Sequence, residues 1–408
     1  MDAPRTIVVV GAGLAGAKTV EALRDQGYDG SLTLVGAETH LPYERPPLSK
    51  GFLKGDDERA SFVVHDQAWY DEHDVTLRLG ETATALDLEA GTVTTDAGEI
   101  AFDAVVLATG SEPRRLDLPG SDLDGLLSLR TVDDSERLRE AFTDGARVVV
   151  VGGGWIGLET AAAARERGAQ VTVLLPEQVP LERVLGPTMG GIFGDLHREH
   201  GVDLRTGVQV TGFRGDGTVD GVELADGTVL PADVVVLGVG VVPRTDLAEQ
   251  AGLAVDGGVL VDAQLRSSDP RVLAVGDIAA HDHPTLGTRV RVEHWATALT
   301  QPATAAATLL GGEEPYDELP YFFSDQYDLG MEYLGHADPS SDELVVRGDP
   351  AGRELIAFWT RDGRVTAGMN VNVWDVTDDV KALIRSGAQV DPARLADPDV
   401  PLSELARG

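Results

Sequence analysis

The sequence of 408 residues contains no cysteine. Disulfide bonds, thiolate metal sites, a cysteine nucleophile and a redox-active dithiol are therefore all excluded. Any redox chemistry that this protein performs has to take place on a bound cofactor, because the pair of thiols that some enzymes use instead is missing. We expect no bound metal ion.

Positive charge and long apolar runs are also scarce. The sequence has 33 lysines and arginines against 68 aspartates and glutamates, which gives a formal net charge of −35. Such a field repels nucleic acid and anionic membranes, so we expect neither as a partner. The longest apolar runs, such as residues 234–242, are too short to cross a bilayer, and the first predicted strand begins too near the first residue for a secretory leader. We expect a cytoplasmic protein, either a monomer or a homodimer.

A run of four apolar residues, 7–10, precedes the pattern Gly11-x-Gly13-x-x-Gly16. The run is typical of a buried parallel strand, and the glycines permit a tight turn, the close approach of a pyrophosphate and the packing of the next helix. Glu38 follows the next predicted strand, near the position where an acid binds ribose hydroxyls. On its own the glycine pattern would also fit an ordinary turn between a strand and a helix, but Glu38 favours a dinucleotide site.

The same arrangement occurs a second time. Residues 148–151 form an apolar run that leads to Gly-x-Gly-x-x-Gly at 152–157. The segment 108–114, Ala-Thr-Gly-Ser-Glu-Pro-Arg, is also echoed by 238–244, Gly-Val-Gly-Val-Val-Pro-Arg. Such an internal repeat predicts two nucleotide sites in one chain.

Residues 42–50 lie after the first glycine turn and read Pro-Tyr-Glu-Arg-Pro-Pro-Leu-Ser-Lys. The prolines fix an extended shape that can hold Arg45 and Lys50 beside a ligand. Together with Ala-Thr-Gly at 108–110 and Gly-Asp at 276–277, this segment resembles the FAD-dependent ferredoxin reductases of bacterial oxygenase systems, the group that contains putidaredoxin, rubredoxin and biphenyl-dioxygenase ferredoxin reductases. The resemblance covers nearly the whole chain, but the redox cysteine pair of the related disulfide reductases is missing here.

The resemblance implies an α/β fold with two Rossmann-like dinucleotide-binding domains, as in glutathione reductase, and a C-terminal α+β domain. We expect residues 1–113 and 246–319 to form the FAD-binding domain, residues 114–245 the NAD(P)H-binding domain, and residues 320–408 the third domain. The alternating strands and the helix predicted beyond residue 320 agree with this division.

The resemblance also implies functional residues. Lys50 and Glu159 would face each other near N5 of the flavin, one from each nucleotide-binding unit, and Trp295 would lie near the isoalloxazine ring; these are the expected catalytic residues. The residues expected to bind FAD or the nicotinamide nucleotide are Gly11, Gly13, Leu14, Ala15, Gly16, Ala37, Glu38, Arg45, Lys50, Ala83, Ala108, Thr109, Gly110, Arg130, Gly152, Gly154, Ile156, Gly157, Glu159, Glu177, Arg183, Gly240, Gly276, Asp277, Glu293, His294 and Trp295.

The second nucleotide is expected to be NADH rather than NADPH. Relatives that prefer NADH usually carry a carboxylate at the position of Leu175, and Glu177 is the candidate to bind the ribose in its place. No arginine pair stands at 175–178 to bind a 2′-phosphate, although Arg183 is near in sequence.

The implied activity is that of an NADH:ferredoxin oxidoreductase. FAD would take hydride from NADH and pass single electrons to a [2Fe–2S] ferredoxin that feeds a cytochrome P450 or a ring-hydroxylating dioxygenase. Such ferredoxins are usually acidic, so Arg289 and Arg291 are candidates for a local basic patch. Two alternatives stay open: an NADH-sensing interaction protein that resembles apoptosis-inducing factor, and an enzyme similar to an NADH oxidase or a monodehydroascorbate reductase.

Overall fold

The computed structural model describes residues 4–406, so residues 1–3 and 407–408, at the ends of two expected domains, lie outside the described residues. The chain divides into two compact units. Unit 1 consists of residues 1–45, 59–112 and 242–320, and unit 2 consists of residues 46–58, 113–241 and 321–408.

This division differs in two places from the boundaries that the sequence suggested. Residues 46–58, expected in the FAD-binding domain, group with unit 2. Residues 321–408, expected as a domain of their own, group with unit 2 as well. The assignment of the three domains to FAD, to NAD(P)H and to a separate C-terminal domain stays a prediction.

The main sheet of unit 1 is parallel. Its five strands follow the order Val272–Ala274, Ala104–Leu107, Thr6–Val10, Ser31–Gly36 and Val75–Leu79. The central strand is almost completely buried, as its apolar sequence predicts for a strand that is covered on both faces. Helix Leu14–Asp25 follows this strand and packs on helix Trp295–Leu309.

Smaller elements complete unit 1. Its two three-stranded sheets consist of Ala83–Asp87, Thr92–Thr95 and Gly98–Ala101, and of Val259–Val261, Ala279–His283 and Thr288–Arg291. Short helical segments span Arg59–Phe62, Gln67–Glu72, Asp246–Gln250 and Gly276–Ile278. Strands Ser111–Pro113 and Val241–Pro243 stand where the chain passes from one unit to the other.

The main sheet of unit 2 repeats this plan. Its five strands follow the order Asp203–Arg205, Gln170–Leu174, Arg147–Val151, Val234–Leu237 and Leu126–Leu127, all parallel. The longer helices are Val132–Ala141, Trp155–Glu166 and Glu182–Glu199, and the last of these is kinked at Gly186. Residues 46–54 contribute the short helical segments Pro46–Ser49 and Gly51–Lys54. An antiparallel sheet of Val210–Asp216, Thr218–Leu224 and Val229–Pro231 completes this part.

The C-terminal part of unit 2 is an antiparallel sheet with helices. The strand order is Tyr321–Gln326, Leu329–Gly335, Arg364–Val371, Glu354–Arg361 and Glu343–Asp349, and helices Thr377–Ser386, Pro392–Ala396 and Leu402–Leu405 follow. Two Rossmann-like parallel sheets and a C-terminal antiparallel sheet confirm the predicted fold class. Between residues 4 and 406, no helix is long and apolar enough to cross a membrane.

Candidate functional site

The first glycine turn, in unit 1, requires glycine at two of its three glycine positions, Gly11 and Gly16. Gly11 has a φ of +116°, and a β-carbon on it would lie 2.1 Å from the carbonyl oxygen of Ala108. A β-carbon on Gly16 would lie 1.9 Å from the carbonyl oxygen of Gly11, so the helix can approach the strand only at a glycine. Helix Leu14–Asp25, which carries Leu14 and Ala15 in its first turn, has Gly13 as its N-cap and no side-chain cap. Its first amide groups can therefore bind the phosphates of a dinucleotide.

Glu38 stands near this turn with two partners. Its carboxylate accepts a hydrogen bond of 2.5 Å from the Tyr43 hydroxyl and lies 3.4 Å from a guanidinium nitrogen of Arg45. A β-carbon on Gly13 would lie 3.3 Å from Nη1 of Arg45, so this arginine also borders the glycine turn. The Glu38 side chain keeps 33% of its surface exposed. It can therefore bind the hydroxyls of a ribose, the role expected for it.

Gly276, which precedes Asp277, lies against helix Leu14–Asp25. Gly276 has a φ of +74°, and a β-carbon on it would be 3.2 Å from that of Ala15. Its amide donates a hydrogen bond of 2.7 Å to Oε1 of Gln301, which is fully buried in helix Trp295–Leu309. The Asp277 carbonyl accepts a hydrogen bond of 3.1 Å from Arg291. Gln301 thus fixes the turn that carries Asp277, a role that the sequence did not indicate.

The segment Glu293-His294-Trp295 stands at the start of helix Trp295–Leu309. His294 is the N-cap, and the indole nitrogen of Trp295 donates a hydrogen bond of 3.1 Å to the Glu44 carboxylate. Glu293 pairs with Arg291 at 2.5 Å.

The arginines expected to form a basic patch both have acidic partners close by. Arg289 pairs with Asp282 at 2.8 Å, and Arg291 pairs with Glu293. Their positive charge is therefore largely compensated by acids of the same unit.

Four of the remaining expected residues of unit 1 border the main sheet or an edge strand. Ala83 begins the strand Ala83–Asp87, and Ala37 follows the strand Ser31–Gly36. The Thr109 hydroxyl donates a hydrogen bond of 2.7 Å to the Arg244 carbonyl. Gly110 has a φ of +68°, so the turn after the strand Ala104–Leu107 also depends on glycine.

The second glycine turn, in unit 2, has the geometry of the first. Gly152 has a φ of +115°, and a β-carbon on it would lie 2.3 Å from the carbonyl oxygen of Gly238. A β-carbon on Gly157 would lie 2.5 Å from the carbonyl oxygen of Gly152. Helix Trp155–Glu166 has Gly154 as its N-cap, again without a side-chain cap. The turn is thus equally suited to a pyrophosphate.

Two other expected residues also lie in unit 2. Ile156, in the first turn of helix Trp155–Glu166, is 44% exposed. The Gly240 carbonyl accepts a hydrogen bond of 2.9 Å from the Arg114 amide.

A surface pocket in unit 2 is lined by Pro176, Glu177, Gln178, Glu182 and Arg183. Glu177 and Arg183 form an ion pair of 2.8 Å at its rim, and the Arg183 side chain is 82% exposed. Leu175, where relatives usually carry an acid, is buried in the core. Glu177, with 23% of its side chain exposed, and Glu182 are the two acids that line this pocket.

Lys50 and Glu159 form a buried ion pair within unit 2. The distance from Lys50 Nζ to Glu159 Oε1 is 2.7 Å, and the two side chains are 17% and 4% exposed. Lys50 directly precedes helix Gly51–Lys54, and Glu159 lies in helix Trp155–Glu166. The two residues face each other as expected, but both group with unit 2 rather than with one unit each.

The Glu159 carboxylate has two further donors that the sequence did not reveal. Ser49 Oγ donates to Oε2, and Ser324 Oγ donates to Oε1 over 2.7 Å. Ser49 lies in the Pro-Pro-Leu-Ser-Lys segment and could have been found from its place next to Lys50.

Arg130 is the remaining expected residue. Its backbone amide donates a hydrogen bond to the Asp134 carboxylate, next to the capping box of helix Val132–Ala141.

Comparisons with known proteins agree over the full length of the chain. The family described as pyridine nucleotide-disulphide oxidoreductase matches residues 5–301, and the one described as reductase C-terminal matches residues 321–406. The ferredoxin–NAD(+) reductase component of the anthranilate 1,2-dioxygenase system of Burkholderia cepacia is 42% identical over 400 residues, 97% of this chain and 98% of that protein.

Two solved structures are closely similar as well. The reductase in the covalent putidaredoxin reductase–putidaredoxin complex has a TM-score of 0.95 at 36% identity, over 99% of this chain and 98% of that one. The ferredoxin reductase for the CYP199A2 system from Rhodopseudomonas palustris has a TM-score of 0.94 at 36% identity, over 98% of this chain and 100% of that one.

The matched families and the geometry of the two glycine turns agree with each other. The family implies FAD and NAD(P)H, and each of the two units has a glycine turn that can hold a pyrophosphate. The disulphide in the family's name has no counterpart here, because the sequence lacks cysteine. The chain belongs to the pyridine nucleotide-disulphide oxidoreductase family, among its FAD-dependent ferredoxin reductases.

Proposed function

We propose that this protein transfers electrons from NADH, through FAD, to a [2Fe–2S] ferredoxin that serves a cytochrome P450 or a ring-hydroxylating dioxygenase. The observation that carries the proposal is the presence of two glycine turns, each able to hold a pyrophosphate, in a chain without any thiol. Electrons that reach the flavin have no dithiol to enter, so an external acceptor has to take them. The relatives named above are reductases of such systems.

Each cofactor is assigned to one glycine turn. In unit 1, the turn at Gly11 would hold the FAD pyrophosphate, Glu38 the ribose, and Asp277 the ribityl end; bound FAD supplies the exchange between hydride and single electrons. In unit 2, the turn at Gly152 would hold the pyrophosphate of the nicotinamide nucleotide. Glu177 favours NADH, because its carboxylate can bind ribose hydroxyls and repels a 2′-phosphate.

Lys50 is assigned to stabilise the negative charge of the reduced flavin, and Glu159 to hold Lys50 in place. A desolvated ammonium group stabilises a nearby anion more strongly than an exposed one does. The ion pair is buried, so neither partner can turn to solvent without a large loss of free energy. Trp295, held by Glu44, is proposed to border the flavin ring. We include in the proposal a cytoplasmic location and a monomeric or homodimeric state.

The overall activity is tested by NADH-dependent reduction of [2Fe–2S] ferredoxins, with cytochrome c as the final acceptor. We expect ferredoxin-dependent turnover of about ten per second or more, within the usual range of enzymes. NADH-to-ferricyanide turnover serves as the control that flavin and NADH are in place. Slow turnover with a long-lived reduced flavin would instead support the NADH-sensing protein, and stoichiometric peroxide would support an NADH oxidase.

The role of Lys50 is tested by Lys50→Met. We expect this variant to keep its FAD but to reduce it with NADH at least about tenfold more slowly in stopped flow, because one desolvated charge is lost. Lys54→Met is the matched control, since Lys54 pairs with Glu166 at 3.4 Å and its side chain is twice as exposed, 35% against 17%. Unchanged flavin reduction in Lys50→Met would contradict the assignment.

A further inference from the structure

Glu159 is surrounded by hydrogen-bond donors on both of its carboxylate oxygens. Oε1 accepts from Lys50 Nζ and from Ser324 Oγ, each at 2.7 Å, and Oε2 accepts from Ser49 Oγ. Three donors on a carboxylate that is 4% exposed leave it little freedom to rotate. The position of Glu159, and through it that of Lys50, therefore depends on these serines.

Ser324 reaches Glu159 from the C-terminal sheet. It lies in the edge strand Tyr321–Gln326, whose alternate residues Phe322, Ser324 and Gln326 are buried. The neighbouring residue Phe323 points to the other face of the strand, and its ring centroid is 5.4 Å from Lys50 Nζ. Adjacent residues of one strand thus contact both members of the ion pair.

The Ser324 hydroxyl is itself fixed by two more residues. Gln326 Nε2 donates to Ser324 Oγ over 3.0 Å, so the hydroxyl hydrogen is left for Glu159. Gln326 Oε1 lies 2.9 Å from His197 Nε2. Burial lowers the pKa of His197 to about 4, so the imidazole is neutral at pH 7 and its Nε2 is the donor to the amide oxygen. His197, Gln326 and Ser324 therefore donate in one direction, towards Glu159.

We propose that Ser324 is a positioning residue for hydride transfer: with Gln326 and His197 behind it, it holds the Glu159 carboxylate in the orientation that keeps Lys50 in place. The C-terminal sheet thereby takes part in the proposed chemistry through a side chain that lies in neither glycine turn. This inference rests on the role proposed above for Lys50. Removing the Ser324 hydroxyl leaves Oε1 with Lys50 as its remaining donor and allows the carboxylate to turn.

The test compares Ser324→Ala with Ser324→Thr in the holoenzyme, by stopped-flow reduction of FAD over a range of NADH concentrations. We expect Ser324→Ala to lower the limiting rate by about ten- to a hundredfold, the effect of one hydrogen bond to a charged group. The NADH dissociation constant and the FAD content should stay within about twofold of the wild type, because Ser324 acts on position and not on binding. Ser324→Thr keeps the hydroxyl in a residue that suits a strand and should restore most of the rate.

A double-mutant cycle with Lys50→Met identifies the route of the effect. If Ser324 acts through Glu159 on Lys50, Ser324→Ala slows the wild type but adds nothing in the Lys50→Met background. Equal slowing in both backgrounds, or a wild-type rate in Ser324→Ala, would overturn the inference. If Ser324→Ala loses FAD, Gln326→Leu is measured in the same two backgrounds, since it keeps the serine but frees its hydroxyl, and the same criteria apply.

The cycle also separates this inference from the function on which it rests. If Lys50→Met alone reduces FAD at the wild-type rate, Lys50 does not have the proposed role, and neither does Ser324. A slow Lys50→Met with a fast Ser324→Ala would overturn the role of Ser324 and leave that of Lys50 standing. Whether a ferredoxin accepts the electrons is read in the separate cytochrome c assay and has no influence on these rates.

Discussion

The carbonyl oxygen of Ala108 lies 2.1 Å from the point that a β-carbon on Gly11 would occupy. The φ of Gly11, +116°, is in addition rarely adopted by other residues. Gly13 differs on both counts, because its φ of −87° is ordinary and its β-carbon would approach only the end of the Arg45 side chain, at 3.3 Å. These two glycines of the motif therefore have different roles: Gly11 is required by the backbone fold, and Gly13 leaves space for the ligand.

This difference predicts distinct effects for substitutions at Gly11 and Gly13. Gly11→Ala should destabilise unit 1 by about 2–4 kcal/mol, because strain and a backbone collision add up, and should yield protein with little FAD. Gly13→Ala should melt at the wild-type temperature as apoprotein but bind FAD about tenfold or more weakly, because the methyl group stands where the pyrophosphate approaches. Thermal melting of the apoproteins and FAD titration check this; equal behaviour of the two variants would contradict it.

The ion pair of Glu177 and Arg183 predicts how cofactor preference can be changed. In Glu177→Ala the carboxylate that binds ribose and repels phosphate is lost, while the exposed Arg183 becomes available to a 2′-phosphate. We expect the ratio of kcat/KM for NADPH to that for NADH to rise about tenfold or more, with ferricyanide as the acceptor. Arg183→Ala should not raise this ratio. A ratio that stays constant in Glu177→Ala would place the ribose elsewhere.

We expect that substitution of Gln301, which lies outside the glycine turns, weakens the binding of FAD. In Gln301→Leu the volume is nearly kept, but the buried amide of Gly276 loses its acceptor, at a cost of about 1–3 kcal/mol. We expect FAD to bind about tenfold more weakly, because the turn that carries Asp277 loosens. Thr300→Val, at the preceding position of the helix, removes a hydroxyl that is hydrogen-bonded to Ala296 and Tyr316, and should leave FAD affinity unchanged. Equal affinities in both variants would contradict this role for Gln301.

The sequence allowed the two glycine turns to be predicted because each is local. The strand, the turn and the helix are consecutive, and the required φ of Gly11 or Gly152 depends on a few neighbouring residues. The pair Lys50 and Glu159 could be expected only by resemblance, because the residues are far apart in the chain and no local pattern joins them.

Ser324 and Gln301 could not be predicted in this way. A buried polar side chain acquires its partner from the packing of distant elements, and a serine in a strand or a glutamine in a helix is by itself ordinary. Nor did the sequence indicate that residues 46–58 group with unit 2. Helix Gly51–Lys54 owes this place to tertiary contacts, for example those of Leu53 with the core around Val148 and Ala161.

We expect the protein to lose stability in mild acid, because it buries His197 and His281. Burial is the main cause that lowers the pKa of each to about 4, from an ordinary value of 6.5. Between these pH values the unfolded chain binds protons that the folded chain does not, so the stabilisation is complete above about pH 6.5 and is lost as the pH falls towards 4. Each histidine should account for about 2 kcal/mol between pH 7.5 and pH 5.

The measurement is the melting temperature at pH 7.5 and at pH 5 for the wild type, His197→Gln, His281→Gln and the double variant. Glutamine at position 197 does not titrate but can still donate to Gln326. The substitution therefore removes the titration and keeps the hydrogen bond. Each single variant should lose less stability in acid than the wild type, and the double variant least, because the two histidines belong to separate units and their effects should add. If the acid-induced decrease in melting temperature were the same in all four proteins, other groups would have to cause the acid lability.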